Sequence, residues 1–76
     1  MFLHIGDDLA VPVKDIALII GCEAQMPEST RKTLELKKSV DAGGKRRSAV
    51  LTADTVYYSP IEKGTLRKRI RQLSNF

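Results

Sequence analysis

The chain has no tryptophan, only two tyrosines and two phenylalanines, one cysteine and one histidine. Each shortage removes a class of function. So few aromatics cannot build the stacking platform on which single-stranded nucleic acid is held. The single thiol, Cys22, has no internal partner, so no disulfide ties the fold to an oxidising compartment. The ligand spacings of zinc sites are missing, and His4, expected on a strand, reads as a structural histidine. No serine or cysteine has a plausible histidine base, since His4 is the only histidine and is expected on a strand. Gly43-Gly44-Lys45 lacks the earlier glycine of a phosphate-binding loop. Asp7 and Asp8 read as turn residues, since neighbours in a strand turn point apart and no third carboxylate follows closely. The expectation is a protein that is not an enzyme, with no cofactor, no metal and no small-molecule substrate.

Long hydrophobic runs are also missing. The longest, residues 16–22, falls far short of the roughly 20 residues a membrane-spanning helix needs. The N-terminus carries acidic rather than basic residues, unlike a signal peptide. A cytoplasmic location without a membrane partner is expected. At 76 residues the chain makes one domain, 1–76, of a size at which a single core is marginal and oligomerisation a common remedy.

What is present in excess is positive charge, unevenly placed. The net charge is +4, yet residues 1–44 sum to −2 and residues 45–76 to +6. That asymmetry points to an anionic partner for the second half, nucleic acid or an acidic membrane surface. Its densest part is Lys45-Arg46-Arg47, approached through Gly43-Gly44 and followed by the apolar run Ser48-Ala49-Val50-Leu51. Cations held at the rim of a sheet reach outward, and a guanidinium fork suits phosphate oxygens. A basic triplet is also a common way to keep a small domain soluble. The charge around it favours a binding role.

The hydrophobic pattern predicts an α+β domain, a small antiparallel sheet of about five short strands with two helices. Strands are expected at residues 2–5, 9–13, 16–20, 48–52 and 55–58, with Pro12 marking an edge or bulge and residues 16–20 a central strand apolar on both faces. Gly6-Asp7-Asp8 forms the first turn and Ala53-Asp54 the second hairpin connection. Met26-Pro27-Glu28-Ser29 opens a helix to about Lys38, with Leu34, Leu36 and Val40 as a thin inner stripe. Ser59-Pro60-Ile61-Glu62 has the residues of a capping box, though Gly64 delays ordered helix to about Thr65. Leu66, Ile70 and Leu73 then share one face, with Arg67, Lys68, Arg69 and Arg71 around it.

In their order these segments resemble the RemA/RemB family of small bacterial regulators of extracellular-matrix (biofilm) genes, most closely the RemB branch. The residues that carry the likeness are Leu3-His4-Ile5-Gly6-Asp7-Asp8, Lys14-Asp15-Ile16, Ser48-Ala49-Val50-Leu51-Thr52, Tyr57-Tyr58-Ser59-Pro60 and Thr65-Leu66-Arg67-Lys68-Arg69. They span nearly the whole chain, and the set rather than any one motif is specific. The resemblance implies a DNA-binding transcriptional regulator that assembles into ring-like homo-oligomers and arrays its basic patches along double-stranded DNA. It implies DNA contact at Lys45 and Arg46, which follow Gly44, with Arg47 as an added cation, and at Lys14, where the family has arginine. Lysine at 14 and 45 keeps the charge but loses the bidentate fork. Two other readings stand beside this one: an oligomeric scaffold or protein-interaction module without nucleic acid, and a peripheral membrane protein using the terminal basic helix.

Overall fold

A computed structural model describes residues 1–6, 8–22 and 26–74. Six strands and two helices follow in the order β1 (Phe2–His4), β2 (Ala10–Pro12), β3 (Leu18–Gly21), α1 (Glu28–Leu36), β4 (Lys38–Asp41), β5 (Ser48–Leu51), β6 (Thr55–Ser59) and α2 (Lys63–Ser74), with a 3-10 turn at Val13–Asp15 after β2. The α+β class and the presence of two helices are as the sequence predicts, although α2 begins at Lys63 rather than Thr65, with Gly64 inside its first turn. Among the described residues the strands number six and form two sheets: β1 and β2 pair alone, and the other four run in the order β3-β5-β6-β4. Asp7 of the expected first turn lies outside the described residues.

The layers follow from the side-chain alternation of a strand. On one face of the larger sheet Ile19, Val50 and Tyr57 stand in register, and they meet Leu3, Ile5 and Val11 of the β1–β2 hairpin and Leu66 and Ile70 of α2. On the other face Ile20, Ala49 and Tyr58 form a row beside Leu51 and Val56, and Leu34 of α1 covers them. Burying a leucine or valine fully is worth roughly 1.5–3 kcal/mol, and Leu3, Ile5, Val50, Val56 and Leu66 are all at 1% exposure or below.

Four expectations are corrected by this arrangement. Residues 16–20 do not form a central strand: the strand begins at Leu18 and β3 is the sheet's edge. Its apolar character on both faces reports the two covering layers, which says nothing of lateral neighbours. The first helix stops at Leu36, not Lys38, because Lys37 turns extended and its ammonium bridges the carbonyls of Thr52 and Ala53 at 3.0 and 2.7 Å. Leu36 is consequently 89% exposed and Val40 belongs to a strand. That strand, β4, pairs parallel to β6 and breaks the purely antiparallel pattern. Finally, Ser59 ends β6 instead of capping α2. Its hydroxyl donates to the Ile5 carbonyl and accepts from the Ile61 amide, while the Glu62 carbonyl accepts the first helical bond from Leu66.

The hairpin is seated on the sheet through Gly6. A β-carbon there would stand 2.6 Å from Ala42 Cβ and 2.7 Å from the Ala42 carbonyl oxygen, so only glycine permits the approach. Among the described residues no helix is long and apolar enough to cross a membrane.

Candidate nucleic-acid interface

The connection from β4 to β5 must pass over β6, which lies between them. Residues 42–47 do this at the end of the sheet where Ser48, Ser59 and Gly21 stand in register. Gly43 and Gly44 both take left-handed backbone, at φ 91° and 72°, a region where a β-carbon is costly. Gly44 crosses against Pro60, where even an added β-carbon would sit 3.2 Å from Pro60 Cβ. Beyond the crossing the chain is pinned again. The Arg47 amide donates to the Ser59 carbonyl at 2.8 Å and its own carbonyl accepts from Cys22 at 3.0 Å. The two glycines thus make a sharp arch, and the ladder bonds of Arg47 fix its exit.

The three cations on the arch differ in how they are held. Lys45 is exposed and its ammonium pairs with no carboxylate among the described residues. Arg47 reaches Glu62 at a long 3.4 Å, with both side chains open to solvent. Exposed pairs of this kind contribute little. Arg46 is different. Its Nε and Nη2 both donate to Asp41 Oδ2 at 2.9 Å, and its Cζ lies 4.0 Å from the centre of the Tyr58 ring. Asp41 and Ala49 flank Tyr58 in the sheet register, so the last residue of β4 and the ring of β6 hold the guanidinium between them. Cys22 is near enough to feel it. Burial pushes the Cys22 thiol up from its ordinary value, and the Arg46 cation pulls it partly back.

Lys14 is not part of this cluster. It sits in the 3-10 turn after β2, where Asp15 lines a groove with Thr52, Ala53 and Asp54. Residues 52–54 join β5 to β6 at the end of the sheet opposite the arch. Within one chain the expected surface therefore splits: Lys45, Arg46 and Arg47 at one end, Lys14 at the other.

The helix α2 holds cations whose roles the sequence does not separate. The bonding alternation of an antiparallel pair leaves Ile19 of β3 and His4 of β1 with their backbone groups directed away from their partner strands. Arg67 Nη2 donates to the Ile19 carbonyl at 2.7 Å, and Arg69 Nη1 to the His4 carbonyl at 3.2 Å. Two of the basic residues of α2 thus close sheet edges. Lys63 shares a groove with Arg47, Gly21 and Gly64, which brings the start of α2 beside the arch. Nothing in the spacing of Lys63 signals this, because the proximity depends on where β6 ends.

The family model described as "RemA-like: Extracellular matrix regulatory protein A-like" matches residues 2–70. The chain is also 35% identical over 72 residues to "Extracellular matrix regulatory protein B" of Bacillus subtilis (strain 168), covering 91% of this chain and 89% of that protein.

Proposed function

The chain belongs to the RemA-like family, and from that premise we propose that it is a homo-oligomeric regulator of extracellular-matrix genes which binds double-stranded DNA through the arch at Lys45, Arg46 and Arg47. The observation that carries the reading is the arch itself. Two left-handed glycines lift three consecutive cations over the end of β6 and return the chain directly into the ladder. Such a loop keeps its charges at a fixed place on the rim, where phosphate oxygens or the narrow minor groove can be met.

Magnitudes support self-assembly. Neutralising three phosphates gives a salt slope of only about −2.7, the regime of weak, non-specific binding. Several arches on one DNA multiply the affinity without any new kind of interaction. Assembly also gives Lys14 a place in the same interface. If copies follow one another head to tail, the Lys14 end of one comes beside the arch of the next, and the cations at each junction form one track. Exposed Met1 and Phe2 beside Lys14 supply apolar surface for such a junction. Within this reading the chain is a binding protein in the cytoplasm rather than an enzyme.

Native mass measurement with and without a duplex tests the proposal. A multimer that gains the mass of one duplex is the expected result. A monomer in both conditions removes the avidity on which the reading rests.

A further inference from the structure

Resting on the DNA-binding reading, we infer that Asp41 and Tyr58 are positioning residues that hold Arg46 with the outer edge of its guanidinium presented to a single phosphate group. A guanidinium has two edges able to donate paired bonds and two faces able to stack. Asp41 Oδ2 takes the Nε–Nη2 edge, with both bonds at 2.9 Å, and the Tyr58 ring covers one face at 4.0 Å. The Nη1–Nη2 edge is left, and the side chain remains 53% exposed. That edge matches two non-bridging oxygens of one phosphate.

The alternative is that Asp41 merely competes with DNA for Arg46. The geometry argues against competition, because a single carboxylate oxygen occupies one edge and leaves the other open. A free arginine loses rotamer freedom on binding, whereas one already stacked and paired has lost it in the folded chain. Among the described residues Lys45 has no such support and Arg47 has only the long 3.4 Å contact with Glu62, so neither is held in one orientation. Arg46 is therefore the cation whose geometry matters as well as its charge.

Tyr58 gives the cleaner test, since changing it leaves the charge untouched while removing Asp41 also removes an anion that repels DNA. Tyr58→Leu should weaken duplex binding about two- to tenfold per engaged chain, the cost of immobilising one long side chain on binding. Tyr58→Phe keeps the ring and should bind like wild type. Arg46→Lys keeps the charge but loses fork and stack, and should lose at least as much affinity as Tyr58→Leu while keeping the wild-type salt slope. In the free protein, the Arg46 Nε–H should exchange slowly by NMR, and faster in Tyr58→Leu and Asp41→Ala. Losses should be alike on A·T-rich and G·C-rich duplexes; a loss confined to one composition would overturn the phosphate assignment. Wild-type affinity in Arg46→Lys overturns the inference even if Tyr58→Leu does not fold, and so does a wild-type Nε–H that exchanges no more slowly than in the variants. A wild-type chain that ignores DNA yet keeps the slow Nε–H sinks the DNA reading, and with it the phosphate half of the inference.

Discussion

Arg67→Ala should destabilise the domain where Arg71→Ala should not, although both remove one positive charge from α2. Arg67 Nη2 donates to the Ile19 carbonyl at 2.7 Å, and that carbonyl belongs to the outer side of an edge strand. A hydrogen bond from a charged donor is worth about 1.5–3 kcal/mol in a buried setting. The arginine is exposed and its bond only part-buried, so solvent screening reduces this to about 1 kcal/mol. In a domain of this size that corresponds to about 4–8 °C in the thermal midpoint. Urea or thermal unfolding of the two variants measures it. Native-state hydrogen exchange adds a local reading, because freeing the edge should loosen β3 before the rest of the sheet. Equal midpoints for Arg67→Ala and Arg71→Ala would refute the edge-closing role. The distinction matters for binding work too, since a neutralised Arg67 is a poor charge control and Lys68 or Arg71 a sound one.

Three other outcomes follow from the packing. Gly6→Ala should cost about 1–3 kcal/mol by overpacking against Ala42, and adding Ala42→Gly should restore only part of it, because the Ala42 carbonyl oxygen at 2.7 Å remains; a thermal melt checks both. Leu66→Ala should cost about 2–5 kcal/mol in urea unfolding, since Leu66 is fully buried between α2 and the sheet. Cys22 supplies a pH dependence: its folded thiol pKa is raised by burial, so its contribution is intact below the ordinary value of 9.0 and is lost as pH rises through the folded value. Melts above pH 9 should show that loss in wild type and lack it in Cys22→Ala.

The strands with strong alternation or β-branched runs, β1, β5 and β6, are legible in the sequence because their own side chains fill the core. The β4 strand is not. Lys38-Ser39-Val40-Asp41 has one apolar residue and is ordered by parallel pairing with β6, a partnership that local pattern does not encode. The same strand supplies Asp41, so the support of Arg46 is invisible for the same reason. The arch itself is readable: two glycines, three cations and an apolar run name it without coordinates. Ser59 misleads because its capping-box residues are real but its hydroxyl is bound to Ile5, far away in sequence. Similarly, the resemblance groups Lys14 with the cations of the arch, and only the course of the chain after β2 places it at the far end of the sheet, beside the β5–β6 connection.

In the proposed complex the arch meets DNA phosphates. The most direct test of that contact is the salt dependence of duplex affinity for the intact assembly, compared between alanine variants at Lys45, Arg46 and Arg47 and variants at Lys68 and Arg71. Each arch variant should flatten the slope of log K against log salt by about 0.9 for every phosphate left without its cation, while the helix variants keep it near the wild-type value. Equal flattening by both sets, or flattening by the helix set alone, would contradict it.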